Sequence, residues 1–116
     1  EANVNQNIAQ FIGDLDSGDF ESRLAIAIKT ACAGTIRTGK VSSVHIDLSF
    51  SQVAHSRQLL VKHKLAFVEP TDTGKVSEES TKSTPMHYNA DGTVTLVPDS
   101  QTDFFKDRSR QESPID

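Results

Sequence analysis

Val44-His45-Ile46-Asp47-Leu48-Ser49-Phe50 is the stretch that decides the fold of this 116-residue chain. Apolar and polar residues alternate along it, which is typical of a β-strand with one buried and one solvated face. A polar connection at residues 51–57 leads into a second alternating stretch at residues 58–69. Two adjacent strands of similar length with a short connection predict an antiparallel hairpin, with Asp47 near Lys62 or Lys64 on its outer face.

Upstream of this hairpin, residues 4–37 carry a helical pattern. Apolar residues at i, i+3, i+4 and i+7 predict a first helix; they are Ile8, Phe11, Ile12 and Leu15. Asp16-Ser17-Gly18-Asp19 favours a turn, with Asp19 as the N-cap of a second helix that ends near Arg37 and Gly39. We expect the buried stripe of this second helix to be Phe20, Leu24, Ala27, Ile28, Ala31 and Cys32, and Gly34 to loosen its end.

Downstream of Pro70 the apolar residues become sparse. Residues 71–84 hold one large apolar residue, Val76, and this composition predicts a flexible loop. Asn89-Ala90-Asp91-Gly92 is a strong turn signal, so residues 85–97 are predicted to form a second, compact hairpin. Residues 99–116 are predicted to be a polar, disordered tail, in which Phe104 and Phe105 stay unassigned.

The predicted fold class is therefore α+β. Two N-terminal helices precede an antiparallel sheet of about four strands, formed by two β-hairpins, and both helices lie on one face of the sheet. Residues 1–98 are predicted to form a single domain.

Composition and charge limit the function. One Cys cannot form an internal disulfide, and the longest apolar run, residues 24–28, is far short of the roughly 18 residues of a membrane span. No leader or lipidation signal is present, although the absence of an initial Met leaves a removed leader open. We expect a protein that does not contact a membrane.

No group of residues in the sequence has the spacing of a catalytic or metal site. His45 and Asp47 share a strand face but lack a third partner, and His63 falls on the apolar face, where we expect it at the sheet periphery with a backbone carbonyl. Asp14 to Glu21 fails the calcium-loop pattern at its glycine and at its last ligand. We therefore expect no enzyme activity, no catalytic residues, no bound metal and no cofactor.

Basic residues on the first hairpin suggest one alternative function. Arg57, Lys62 and Lys64 could contact phosphates of DNA or RNA. The chain has a formal charge of −4, and its outer strand face lacks the aromatic residues that stack on bases. Nucleic-acid binding is therefore the second hypothesis.

The helices carry more apolar surface than a short sheet covers. We expect self-association through the helices or an open sheet edge to bury the remainder. The candidate residues for an oligomer interface are Phe11, Leu15, Leu24, Ile26 and Ile28.

One set of short stretches, spread along the chain, carries a family resemblance. It comprises the opening residues 8–16 with Phe20 and Glu21, the stretches 63–71 and 92–98, and Gly74-Lys75, Ser77-Glu78-Glu79 and Thr84-Pro85-Met86. These stretches resemble small uncharacterised proteins encoded by temperate phages and prophages. The resemblance implies a bacterial cytoplasm and no particular activity. The first hypothesis is therefore a non-enzymatic phage or prophage accessory protein, a homodimer that acts by contact with an unidentified host or phage protein.

Overall fold

The computed structural model describes residues 6–98. A helical segment, residues 8–38, comes first and a single antiparallel sheet follows, so the α+β prediction is confirmed. The two parts of the helical segment are α1 (Ile8–Asp14) and α2 (Asp19–Thr38). The sheet has the order β1-β2-β3-β4, with strands β1 (Ser43–Gln52), β2 (Gln58–Pro70), β3 (Lys75–Tyr88) and β4 (Val94–Thr95).

The predicted break between the helices is a tight turn, Leu15–Gly18, inside one helical segment. Asp16 and Ser17 have φ of 52° and 57°, and Gly18 has φ of 90°, so the chain passes through the left-handed region for three residues. Gly18, and not Asp19, takes the N-cap position of α2. The segment is therefore one broken helix and not two independent ones.

The buried side of α2 consists mostly of small residues. Phe20, Ala27, Ala31 and Gly34 face the sheet, which lets the helix approach β2 closely. Two members of the expected stripe are therefore misplaced, because Ile28 is 48% exposed and Cys32 is also exposed. Gly34 does not loosen the helix end; it lies directly against the end of β2.

The prediction of a flexible loop at residues 71–84 is wrong. Only residues 71–74 turn, with Thr71 N–H donating to the Gly74 carbonyl at 2.8 Å, and β3 then pairs with β2 from Lys75 onward. Because β2 is 13 residues long, its backbone offers a full row of partners to a polar strand that brings few apolar side chains of its own.

The second hairpin is present in a shorter form than predicted. β3 and β4 pair only at His87↔Thr95 and Tyr88↔Val94, and the turn between them places Gly92 at φ 92°. Asp91 stabilises this turn, because its Oδ1 accepts from the Thr93 backbone N–H at 3.0 Å. The predicted tail at residues 99–116 lies outside the described residues.

The core lies between the helical segment and one face of the sheet. Its buried apolar members come from α1, the tight turn, α2, β2 and β3; they are Phe11, Leu15, Phe20, Ala27, Val61, Leu65 and Met86. Phe11 is 7% exposed and Leu15 is fully buried, so both belong to the core of one chain and leave the set of candidate interface residues.

Candidate protein-interaction surface

The outer edge of β1 has no neighbouring strand within residues 6–98. At the end of the β1–β2 ladder, Val53 N–H donates to the Gln58 carbonyl at 2.8 Å. Backbone groups of successive strand residues point to opposite sides, so the odd-numbered residues of β1 face β2. The N–H and C=O groups that point to the free edge therefore belong to Val44, Ile46, Leu48, Phe50 and Gln52.

Most of the residues with outward-pointing backbone groups also carry apolar side chains. The register pairs Ile46 with Leu65 and Phe50 with Val61, which places both side chains on the helix-facing side of the sheet. Ile46 is nevertheless 43% exposed and Phe50 is 53% exposed. The helical segment lies mainly over β2, and it leaves the β1 side of that face uncovered.

One flank of α2 adds to this apolar area. Phe20, near the start of α2, contacts His63, and Gly34, near its end, lies against Pro70, so α2 runs parallel to β2. Ile26 lines a small cavity with Glu78 and Ser80, and it therefore marks the flank above β3. Ile28 follows Ile26 by two residues, which corresponds to about 200° of rotation around the helix axis. Ile28 therefore lies on the opposite flank of α2, above β1.

We call this region the β1 surface. It consists of Leu24, Ile28, Ile46, Leu48 and Phe50. Leu24 and Leu48 are half-buried and pack against the core, whereas the other three side chains are exposed. Ile26, the remaining interface candidate, is 60% exposed but lies on the β3 flank, away from this surface.

The outer edge of β3, beyond its two pairs with β4, differs from the β1 edge in the residues that it carries. Tyr88 N–H donates to the Arg57 carbonyl at 2.8 Å, so the odd-numbered residues of β3, including Pro85, point their backbone to the free edge. Pro85 has no N–H to offer there. β3 also carries four charged residues, which are Lys75, Glu78, Glu79 and Lys82.

Charged side chains and proline are the usual protection of a sheet edge against pairing with another chain. β1 contains no Lys, Arg or Pro, and Asp47 is its one carboxylate. Its register with β2 runs from Ser43 to Gln52 without a bulge. The β1 edge is thus long, regular and unprotected, which is the condition that favours strand pairing with a partner.

The three basic residues of the second hypothesis do not form one patch. Lys64 lies opposite Asp47, as predicted, and its Nζ is 3.4 Å from a carboxylate oxygen of Glu79. Lys62 is on the same outer face, between Ser residues of the neighbouring strands. Arg57 belongs to the opposite face, where its guanidinium lies 5.8 Å from the Tyr88 ring centre.

His63 lies at the centre of the core and not at the sheet periphery. It is 1% exposed, and its ring meets Phe20 edge-on at 5.1 Å between centres. Its Nε2 is 2.9 Å from the Thr84 hydroxyl, which also accepts the Asp16 backbone N–H at 2.8 Å. Because the Thr84 oxygen accepts from Asp16, its own hydroxyl proton can be donated to Nε2 of a neutral His63 ring.

The electrostatics around His63 favour the neutral ring. Burial lowers its pKa below 6.5; the Asp16 carboxylate raises it in part, and the Arg23 guanidinium lowers it further. His63 Nδ1 and Arg23 Nε are buried without hydrogen-bond partners among the described residues. This cluster joins the helical break to β2 and β3.

A cluster of metal ligands or a helix that spans a membrane would indicate another kind of function for residues 6–98. That part of the chain contains no group of three or more His, Cys, Asp or Glu that could hold one metal ion. His45 and Asp47 both lie exposed on the outer face of β1. None of the described helices combines the length and apolarity needed to cross a bilayer.

The sequence alone did not mark Ile46 and Phe50 as surface residues. Alternation predicts them on the buried face, and only the position of α2 over β2 shows that they remain uncovered. A signal was present in the sequence, because β1 carries one charged residue, whereas β2 carries three and β3 carries four.

Together these features define a small α+β protein with a four-stranded antiparallel sheet and a broken helix on one face. Comparison with known proteins gives the family: the YfdP family model matches residues 7–94, and the chain belongs to the YfdP family. It is 36% identical over 95 residues to "Uncharacterized protein YfdP" of Escherichia coli (strain K12), which covers 82% of this chain and 78% of that protein. No solved structure matches the chain.

Proposed function

We propose that this protein is a non-enzymatic accessory protein of a temperate phage or prophage, and that it acts in the bacterial cytoplasm as a homodimer through protein–protein contact. The observation that carries the homodimer in this proposal is the contrast between the β1 edge and the part of the β3 edge that β4 does not cover. The β3 edge has four charged residues and Pro85, whereas the β1 edge presents apolar side chains beside unpaired backbone groups.

The phage or prophage origin rests on the sequence resemblance and has its own test. The genes next to this one should include recombination, replication or structural genes of a phage. Neighbours from ordinary metabolism in several genomes would contradict this part of the proposal and leave the physical role of the β1 surface untouched.

The homodimer is tested with two matched variants. Ile46→Lys places a charge on the β1 edge, and Val76→Lys places the same charge at the β3 edge, where Val76 is 45% exposed against 43% for Ile46. Light scattering after size exclusion should give twice the 12.7 kDa chain mass for the wild type and for Val76→Lys. Ile46→Lys should give the monomer mass, with an unchanged circular dichroism spectrum.

Two results would overturn the homodimer. A wild-type protein that stays monomeric at about 100 μM would do so, because its dimer would then have a dissociation constant well above that concentration. Equal dissociation of both Lys variants would also do so, because it would show a general effect of charge and not an effect of the β1 surface.

Nucleic-acid binding remains the alternative function, and the geometry supports it less. Lys64 already contacts Glu79, and Arg57 is on another face of the molecule. If this function holds, the wild type should shift DNA or RNA at low salt, and Lys62→Ala should weaken the shift. Absence of any shift at low salt would contradict it.

A further inference from the structure

We propose that the second copy joins β1 by antiparallel strand pairing in one register, with Leu48 opposite Leu48 of the second copy, so that two four-stranded sheets form one continuous sheet. This inference rests on the proposed homodimer and names its geometry. It follows from the symmetry of a dimer, the direction of the free backbone groups and the position of Asp47.

Symmetry restricts the arrangement first. A two-fold axis that makes β1 antiparallel to its own copy must stand perpendicular to the sheet. The axis therefore keeps the helical segments of both copies on the same face. Residues that lie opposite each other must then have the same parity, since directly opposed side chains share a face of the sheet. A register that pairs even-numbered with odd-numbered residues is excluded.

The centre of β1 lies between Asp47 and Leu48, which leaves four registers to compare: those centred on Ile46, Asp47, Leu48 and Ser49. A register centred on Ser49 pairs Val44 with Ala54, which lies after the last residue of β1, Gln52. A register centred on Asp47 places two carboxylates opposite each other, which is destabilising. A register centred on Ile46 pairs Phe50 with Ser42, which lies before the first residue of β1, Ser43. A register centred on Leu48 stays within the strand and pairs residues 44–52 with residues 44–52 of the second copy.

The Leu48-centred register also matches the side chains. On the helix-facing side, Ile46 lies opposite Phe50 of the second copy and Leu48 lies opposite itself. On the outer side, Asp47 lies opposite Ser49, which is neutral. Every outward-pointing N–H and C=O of residues 44–52 acquires a partner, because the opposed even-numbered residues are the hydrogen-bonded pairs of this ladder.

The same register places the two α2 helices on opposite sides of the two-fold axis. Each α2 begins at the level of Leu48, because Phe20 contacts His63 and His63 lies opposite Leu48, and it then runs towards Pro70, away from the axis. The two helices therefore do not pack along each other. Phe50 of one copy lies beside Ile46 and near Ile28 of the other.

Cysteine cross-linking tests the register. In a Cys32→Ser background, Ile46→Cys, Asp47→Cys, Leu48→Cys and Ser49→Cys are oxidised separately. Only Leu48→Cys places two Cα atoms at about 5.5 Å, within the roughly 4.4–6.8 Å that a disulfide needs; two cysteines at position 47, or two at position 49, would be about 8 Å apart. Leu48→Cys is therefore the one of these four variants that should form a disulfide dimer, and it should do so more slowly than a cysteine pair at a non-hydrogen-bonded position, where the Cβ atoms are closer.

Leu48 is half-buried, so Leu48→Cys could fold poorly. A mixing experiment tests the same register without a substitution at position 48. Asp47 and Ser49 are exposed on the outer face, so substitutions there spare the core. Asp47→Cys protein mixed with Ser49→Cys protein should form a cross-linked heterodimer, because residues 47 and 49 lie directly opposite in this register. Neither variant alone should cross-link at a comparable rate.

The outcomes separate this inference from the proposed function. Fast cross-linking at Ile46, Asp47 or Ser49 overturns the register. A dimer mass by light scattering without cross-linking in any variant overturns the β1 pairing while the homodimer stands. A monomer mass overturns both. Cross-linking at Leu48, or between positions 47 and 49, with a dimer mass supports both.

Discussion

Gly34 of α2 packs directly against Pro70 at the end of β2. A Cβ atom on Gly34 would lie 2.9 Å from Pro70 Cδ and 2.9 Å from Glu69 Cγ, closer than carbon atoms normally approach. Arg37 strengthens the same junction, since its guanidinium donates to Glu69 Oε2 at 3.2 Å and to the Pro70 carbonyl at 3.3 Å. The height of α2 above the sheet is therefore set at this contact.

Gly34→Ala should destabilise the protein, although alanine favours helix. The proline ring cannot move aside, so the helix must shift, and overpacking of this kind costs about 1–3 kcal/mol against a gain in helix propensity of about 1 kcal/mol. We expect a net loss of up to about 2 kcal/mol in urea denaturation. Gly74→Ala is the control, because nothing lies within 4 Å of its added Cβ; an equal loss there would contradict the packing argument.

Ile46→Pro should abolish dimerisation with little loss of the β1–β2 ladder. The Ile46 N–H points to the free edge, so proline removes a donor that only a second copy uses. Ile46→Ala controls for the lost side chain, and Thr81→Pro removes an outward N–H from the β3 edge. Sedimentation velocity should show monomer for Ile46→Pro and dimer for Thr81→Pro; monomer for both would count against the β1 edge.

Stability should fall in acid in a manner that depends on His63. Its pKa is lowered in the folded protein by burial, so the unfolded chain binds a proton more readily below its ordinary pKa of about 6.5. The free energy of unfolding should therefore be unaffected by this group above that pH and decrease below it, down to the lowered folded pKa.

Thermal unfolding between pH 4.5 and 8 measures this dependence. His63→Gln keeps a donor and an acceptor for Thr84 but cannot titrate, so its stability should fall less steeply between pH 6.5 and 5. His45→Gln, at an exposed site on β1, should follow the wild type. Parallel curves for His63→Gln and the wild type would contradict a role for His63.

Ala54→Gly should stabilise the protein. Ala54 has φ 52° in the connection between β1 and β2, where an L-residue costs about 1–2 kcal/mol and glycine costs less. Allowing for the greater entropy of glycine in the unfolded chain, we expect a gain of about 0.5–1 kcal/mol. Ala33→Gly, at an exposed site in α2, should instead lose about the same amount, and a loss at Ala54 would refute the strain argument.

The first hairpin could be predicted in detail because its signal is local. Alternation at residues 44–50 and 58–69 set both strands, and it placed Asp47 opposite a lysine of β2, as the register confirms. The break at Asp16 and the C-cap at Gly39 were also readable, since residues that accept positive φ occur there. These features depend on side chains within a few positions of one another.

β3 could not be predicted in the same way. Its residues 75–84 contain one large apolar side chain, and the strand is held by the backbone of β2 and by cross-strand contacts such as Lys64 with Glu79. A hydrophobic pattern does not reveal hydrogen bonds between backbones. β3 forms by pairing with the long β2 strand, and this pairing is visible only in the folded chain.

The sequence by itself determined the class of fold, the first hairpin, the helical break and the excess of apolar residues over what one small core needs. The tertiary structure decided which of those apolar residues stay outside. Small residues on α2 seat the helix over β2, Phe11 and Leu15 fill the core, and Ile28, Ile46 and Phe50 remain exposed beside a free strand edge. The physical reason is that one helix is too narrow to cover a four-stranded sheet.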